Sequence, residues 1–189
     1  SAKEQEVVEI KCIGPDNDQV PKSNTVKIVY HPKNQLITML RATVPRIKTD
    51  IPLFVLFRAL GVLPDRDVCE LILDKGEEGT YDPVLTESIL EARDVRTQEE
   101  ALAWLADHTN TWSVKSQKQG NVADILGEEL FPQIGGSDMN YEKACFLAHM
   151  TRKVLWTSTK RLPTDDRDAY PNKRVDIPGF LLADLFRKT

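Results

Sequence analysis

The first third of the chain carries apolar β-branched residues interleaved with Lys and Glu. Glu6–Ile13 (EVVEIKCI), Thr25–His31 (TVKIVYH) and Gln35–Thr43 (QLITMLRAT) are rich in Val, Ile and Thr, the composition of half-buried strands. The segments PDNDQVPKSN and HPKN separate them. The short second gap predicts a hairpin with Pro32 and Asn34 in the turn. Lys and Glu within the strands mark a solvated face.

From Asp50 the pattern turns helical. Asp50 is read as a cap and Pro52 as a first-turn residue, whose missing N–H is harmless there. Leu53–Leu60 is apolar all round except Arg58, which predicts a helix buried on most sides, stopped by Gly61 and Pro64. Asp65 opens a second helix with Val68, Leu71 and Ile72 on one stripe. Asp82-Pro83 reads as cap and first turn before Leu85, Ile89 and Ala92. Thr97 and Glu100 form a capping box ahead of Ala101, Trp104 and Leu105. Thr109–Gly120 reads as a polar loop, and Asn121 opens a helix with Val122, Ile125, Leu126 and Leu130, ended by Pro132 and Gly135-Gly136. The longest helix is predicted over about Asn140–Ser158, where Ala144, Leu147, Ala148, Thr151, Val154 and Leu155 repeat at i, i+3, i+4, i+7. Lys143, Arg152 and Lys153 mostly fall off that stripe. Asp176 and Pro178 open a last helix whose Leu181, Leu182, Leu185 and Phe186 need a partner. The whole predicts an α+β fold, mainly helical with a small antiparallel sheet. It forms one domain over 1–189, strand-rich over 5–45 and helical over 50–188. The absent initiator Met and the last helix without a stop signal predict a fragment of a longer polypeptide.

Composition changes this picture little: 41% hydrophobic and 29% charged residues suit a folded domain. No apolar run reaches the roughly 20 residues needed to span a bilayer. Cys12, Cys69 and Cys145 are scattered and odd in number, as expected for reduced thiols rather than a disulfide framework. Charge is more informative. Residues 1–140 hold 15 Lys and Arg against 23 Asp and Glu, whereas residues 141–189 hold 10 against 6. A broad basic excess, the mark of a free-standing nucleic-acid-binding domain, is missing, but the C-terminal part can face a phosphate backbone locally.

Catalytic devices are sparse. His31, His108 and His149 lie in three segments without another His or Cys at metal-ligand spacing. No GxGxxG, P-loop or nucleophile elbow occurs, and Gly135-Gly136-Ser137 follows a helix end instead of opening a helix after a strand. Asp165, Asp166 and Asp168 are the one acidic cluster that could hold a divalent cation for phosphoryl transfer. Arg167, Lys173 and Arg174 stand beside them and can neutralise them, giving a loop laced by salt bridges and backbone hydrogen bonds.

Four motifs occur in one order: IPLFVLFRALGV (Ile51–Val62), ILGEELFPQIG (Ile125–Gly135), KACFLAHM (Lys143–Met150), and a closing Asp165-Asp166-Arg167-Asp168, Tyr170, Asn172-Lys173-Arg174 and Gly179 before an apolar helix. Over Arg41–Arg187 this resembles the lobe domain of the second-largest subunit of multisubunit RNA polymerases, in wording closest to RNA polymerase II. Ala169 stands where that family often has His, Pro171 where it has Gly, and Pro178 where it has Ala. The Asn-Lys-Arg-Val-Asp run looks like polymerases of large DNA viruses or divergent protists.

The resemblance implies a non-catalytic, lobe-like domain that needs no cofactor of its own; the parent nucleotidyltransferase uses magnesium held chiefly by the largest subunit. It implies one wall of the DNA cleft, packed against other domains of the same subunit and the largest subunit. A small zinc-ribbon subunit and transcription factors would dock on its outer surface, and duplex DNA would be met weakly and without sequence preference. Lys115, Lys118, Arg161, Arg167, Lys173 and Arg174 are the expected DNA-facing residues. Asp165, Asp166, Asp168, Tyr170, Asn172 and Gly179 are expected to be structural. In isolation the domain should be a monomer without turnover or membrane contact. The compartment would be the nucleus for a cellular enzyme, and the infected-cell cytoplasm or virion for a viral one. Two other readings stay open: a stand-alone protein-interaction module, and a magnesium-dependent phosphoryl-transfer enzyme using Asp165, Asp166 and Asp168.

Overall fold

The computed structural model describes residues 6–14, 21–31, 37–73, 79, 81–109, 115–136, 138–166, 168–171, 173 and 177–188. The order of elements is β1 (Val7–Cys12), β2 (Lys22–Tyr30), β3 (Thr38–Thr43), β4 (Ile51–Pro52), α1 (Leu53–Ala59), α2 (Asp65–Ile72), α3 (Asp82–Glu91), α4 (Gln98–Asp107), α5 (Lys115–Glu128), α6 (Asn140–Ser158) and α7 (Pro178–Lys188). This is the α+β architecture expected. Among the described residues no helix is long and apolar enough to cross a membrane.

The sheet runs β1-β2-β3-β4, antiparallel throughout. Val26 lies opposite Val8 and Ala42, and Ile28 opposite Leu40. Val26, Ile28, Leu40 and Ala42 are buried on the face that meets the helices, while Val7, Glu9 and Lys11 of β1 are exposed. α3 packs on β3, and α6 packs on β1, β2 and α2. The β2–β3 pairing is the predicted hairpin; Pro32 and Asn34 of its turn lie outside the described residues.

Helix α1 is the centre of the molecule. All seven of its residues are buried, Arg58 included. The Arg58 guanidinium donates to the Ala92 carbonyl at 2.6 Å, to the Val95 carbonyl, and to Asp65 Oδ1, with which it forms an ion pair. One side chain thus ties α1 to the end of α3 and the start of α2. Gly61 follows with φ +96°, a backbone setting that L side chains avoid. The first of the four motifs behind the resemblance, Ile51–Val62, is therefore core chemistry.

Several expectations are corrected. Asp50 is not a helix cap: it accepts from Thr43 Oγ1 at 2.9 Å and pairs with Lys27 Nζ at 2.8 Å. Burial pushes its carboxyl up, but the hydrogen bonds from Lys27 and Thr43 outweigh that and leave it below the usual carboxylate range. Pro52 belongs to β4, because Ile51 and Pro52 pair with Ala42 and Arg41 before the helix begins. Asp82 lies inside α3, with Tyr81 at the cap position. Helix α5 starts at Lys115 rather than Asn121, so half of the predicted polar loop is helical. Val122, Ile125 and Leu126 are buried, and α5 packs against α4, which offsets the poor helix propensity of Gly120 and Asn121.

Lys143 is the largest departure. It is fully buried on α6, and its Nζ donates to the Leu126 carbonyl at 2.7 Å and the Gly127 carbonyl at 2.8 Å. A cation there satisfies two of the otherwise unpaired carbonyls in the last turn of α5. Burial pushes its pKa from 10.5 down to about 8, opposed by the charge of Asp138. The capping box of α4 stands as predicted. The Glu100 N–H donates to Thr97 Oγ1 at 3.2 Å, and Glu100 Oε2 accepts from the backbone of Thr97 at 3.1 Å and of Arg96 at 2.7 Å. These backbone bonds, Arg96 first, hold the Glu100 carboxyl below its ordinary range.

Candidate nucleic-acid interface

Helix α6 and the chain after it carry the basic end of the molecule. The helix closes in a Schellman turn: Lys160 N–H donates to the Thr157 carbonyl and Arg161 N–H to the Trp156 carbonyl, each at 2.9 Å. Lys160 takes the left-handed position, φ +58°, that this turn demands. Arg161 is exposed, with its guanidinium 6.0 Å from the centre of the Tyr81 ring, and the Tyr81 hydroxyl lies 3.3 Å from Thr159 Oγ1. Lys153 and Lys160 are exposed as well. Arg152 bends back onto α2, donating from Nε to the Ile72 carbonyl at 2.6 Å and from Nη2 to the Leu71 carbonyl at 2.9 Å. The exposed His149 is lowered from its ordinary pKa, chiefly by desolvation and further by the charges of Lys153 and Arg152.

Beyond the turn, Asp165, Asp166 and Asp168 are all exposed. Asp166 Oδ1 accepts from the Asp168 N–H at 2.9 Å, a local Asx turn. The Ala169 N–H donates to the Asp166 carbonyl at 3.2 Å, and the Lys173 N–H to the Ala169 carbonyl at 3.1 Å. One carboxylate of the acidic cluster is thus committed to shaping its own loop. Among the described residues no three His, Cys, Asp or Glu side chains gather where they could hold a metal ion, so Asp165, Asp166 and Asp168 are not arranged as the phosphoryl-transfer reading requires. Tyr170 is 96% exposed, and a Cβ placed on Gly179 would meet nothing within 4 Å. Arg167, Asn172 and Arg174 lie outside the described residues, as do the side chains of Lys115 and Lys118 on the first turns of α5. Arg161 and Lys173 are therefore the expected DNA-facing residues whose setting is described. The apolar residues Leu181, Leu182, Leu185 and Phe186 of α7 are exposed.

The remaining polar groups belong to the scaffold. The buried Glu129 pairs with Lys22 Nζ at 2.8 Å and Arg46 Nε at 2.9 Å, and its carbonyl accepts from Asn24 Nδ2 at 3.1 Å, which fastens the sheet to the end of α5. His108 Nδ1 lies 2.7 Å from the Trp104 carbonyl, and its ring stacks on Trp104 at 4.0 Å. An open notch between β3 and α3, lined by His31, Met39, Arg41, Glu87, Leu90 and Glu91, contains the Arg41–Glu91 ion pair. The exposed Lys153 and Lys160 are not among the residues expected from the sequence to face DNA. Their signal was present in the run from Lys143 to Thr164, which holds five Lys and Arg and no Asp or Glu.

The family described as RNA polymerase Rpb2, domain 2, matches residues 19–176. The chain is 33% identical over 181 residues to DNA-directed RNA polymerase II subunit RPB2 of Encephalitozoon cuniculi, covering 95% of this chain and 15% of that protein. It is 34% identical over 183 residues to the subunit of the same name in Schizosaccharomyces pombe, covering 96% of this chain and 15% of that protein. It is 32% identical over 153 residues to DNA-directed RNA polymerase subunit Rpo2N of Methanococcus vannielii, covering 79% of this chain and 30% of that protein. The chain spans between about one seventh and one third of the length of these relatives.

Proposed function

The chain belongs to the Rpb2 domain 2 family of RNA polymerases, the lobe of the second-largest subunit, and from that premise we propose that it works as a non-catalytic wall of the DNA cleft. Its role is to present positive charge to duplex DNA and a docking surface to other subunits and factors, in a nuclear, multisubunit, DNA-directed RNA polymerase. The observation that carries this reading is the division of labour among its basic residues. Arg58, Arg41, Arg46 and Lys22 are tied to carboxylates inside the fold. Lys153, Lys160 and Arg161 stand exposed at one end. A surface of that kind steers a phosphate backbone without reading bases. Lys115, Lys118, Arg167, Lys173 and Arg174 extend it in this proposal. The enzyme's magnesium is held elsewhere, chiefly by the largest subunit.

The phosphoryl-transfer reading is disfavoured by the Asx turn that occupies Asp166. Family membership likewise disfavours a module unrelated to transcription. The named relatives come from cellular organisms, and the eukaryotic ones favour a nuclear enzyme over a viral one. The test is a salt titration of the 189-residue chain with a random-sequence duplex, followed by fluorescence anisotropy. The expected result is sequence-independent binding that weakens steeply with salt and is reduced by Lys115→Gln/Lys118→Gln/Lys173→Gln. Absence of binding at 25 mM salt would leave only the docking role.

A further inference from the structure

We infer that Thr164 is a modification site, the phosphoacceptor of a Ser/Thr protein kinase that selects acidic residues after its target. The site stands on its own geometry; only its effect on DNA rests on the cleft-wall reading.

Thr164 offers a hydroxyl that the fold does not use. The hydroxyls before it at the end of α6 are committed to helix carbonyls: Thr157 Oγ1 donates to Lys153 at 2.9 Å, Ser158 Oγ to Leu155 at 2.7 Å, and Thr159 Oγ1 to Leu155 at 3.2 Å. Thr164 is exposed and has no hydrogen-bond partner, through side chain or backbone, among the described residues. Residues 163–166 belong to no helix, strand or turn, so an enzyme can draw this backbone straight without breaking a helix or a ladder. A kinase cleft needs that freedom, because the hydroxyl must come into line with the phosphorus it attacks.

Charge selects the enzyme. Asp165, Asp166 and Asp168 follow the hydroxyl, and all three are exposed. Neither Asp165 nor Asp168 forms an ion pair among the described residues. Their charge is open to a basic groove, and kinases read such charge patterns by complementarity. Arg161, three residues before the hydroxyl, is the feature that an arginine-selecting kinase would need. Its backbone is held in the Schellman turn, and its guanidinium lies 6.0 Å from the centre of the Tyr81 ring. The acidic groove of such a kinase would also be repelled by the three acids.

The other exposed threonines of the described residues lack this combination. Thr97 is followed by Glu99 and Glu100, but its Oγ1 caps α4 by accepting from the Glu100 N–H. Thr49 is followed by Asp50 alone, which Thr43 and Lys27 hold. Thr86 lies within α3, and the hydroxyl of Thr159 is committed as above.

In the reaction Thr164 Oγ1 attacks the γ-phosphorus of a nucleoside triphosphate and its proton passes to the kinase's catalytic carboxylate. The bond from the γ-phosphorus to the bridging oxygen breaks, releasing the nucleoside diphosphate. The product adds a charge of about −1.5 to −2 at neutral pH. Arg161 and Thr164 are separated by at most about 11 Å of chain, about one Debye length at 0.1 M salt. The phosphate therefore cancels much of the positive charge of Lys160 and Arg161 and, on the cleft-wall reading, weakens the hold of this end on DNA.

In the experiment the 189-residue chain is incubated with magnesium, ATP and either an acid-directed or an arginine-directed kinase, and phosphate is located by fragment-ion mass spectrometry. The acid-directed kinase should place one phosphoryl group on Thr164 and none on that fragment of Thr164→Val. Asp165→Asn/Asp166→Asn/Asp168→Asn should lower kcat/KM about tenfold, through the loss of three exposed charge contacts. Modification of Thr97 or Thr49 with Thr164 untouched overturns the site, as does an unmodified chain beside a phosphorylated control peptide. A rate that falls with Arg161→Gln but not with the triple Asn variant overturns the choice of kinase. Titrated with a random-sequence duplex, the phosphorylated chain should show a slope of log K against log salt reduced by about 0.9–1.8, one or two phosphate contacts. An unchanged slope overturns the effect on DNA and leaves the site standing. No binding by the unmodified chain at low salt overturns the cleft-wall reading, while phosphate found on Thr164 still supports the site.

Discussion

Replacing Arg58 by Met removes the guanidinium and keeps most of the buried stem. The part-buried Val95 carbonyl then loses its Arg58 donor, while the Ala92 carbonyl loses one of two bonds and keeps the Val95 N–H at 3.1 Å. Each buried acceptor left without a partner costs about 1–3 kcal/mol. Asp65 is 38% exposed and can rehydrate, so its loss adds only about 0–1 kcal/mol. With about 0.5–1.5 kcal/mol for the bond lost at Ala92, the total is about 1.5–5.5 kcal/mol, which spans the usual cost of removing one partner from a buried pair. Against a typical stability of about 5–15 kcal/mol this is a large fraction. For a chain of this size it lowers Tm by about 3–22 °C, at about 2–4 °C per kcal/mol. Circular dichroism at 222 nm against temperature, with a urea titration alongside, measures it. Arg58→Lys should fall between wild type and Arg58→Met, because an ammonium lacks the planar fork that serves three acceptors at once. A Tm within about 2 °C of wild type for Arg58→Met would refute the claim that this arginine joins α1, α2 and α3.

Two further outcomes follow from the same packing. Gly61→Ala should cost about 1–2 kcal/mol through its positive φ alone, since the added Cβ would meet only Gln98 Nε2, at 3.7 Å; a urea midpoint equal to wild type would contradict this. Lys143 has a folded pKa of about 8 against an ordinary 10.5. The unfolded chain therefore binds more protons between those values, and this group's contribution to stability rises with pH across that window. The gain, discounted for solvent relaxation around the ammonium, is about 1–3 kcal/mol. It should appear as the difference between wild type and Lys143→Met in unfolding measured at pH 7.5 and pH 10; parallel pH profiles would contradict it.

Features set by near neighbours in the chain were legible in the sequence. Helix α6 matches its predicted bounds because its apolar stripe is regular, and the α4 cap matches because Thr97 and Glu100 are three residues apart. Partners distant in the chain produced the errors. Asp50 resembles a helix cap until Lys27 and Thr43 claim it. Lys143 resembles a surface lysine until the end of α5 is brought against it. Strand β4 has two residues, too few for any periodicity. At the candidate interface the acidic cluster drew notice by its density, although its geometry is a local turn. Lys153, off the apolar stripe of α6, and Lys160, in the turn beyond it, read in the sequence as ordinary solvated charge. Like the exposed Lys11 and Lys48, Lys153 and Lys160 have no ion pair among the described residues; what sets them apart is a surrounding run, Lys143 to Thr164, without a single acid.

The most direct test of the central claim places a photo-crosslinking amino acid at the residue corresponding to Lys160 of this chain, within the polymerase assembly that the proposed function assigns to it, on a DNA template. Crosslinks to duplex DNA, lost as salt is raised, are the predicted result. Crosslinks confined to protein, at every salt concentration, would contradict a DNA-facing wall.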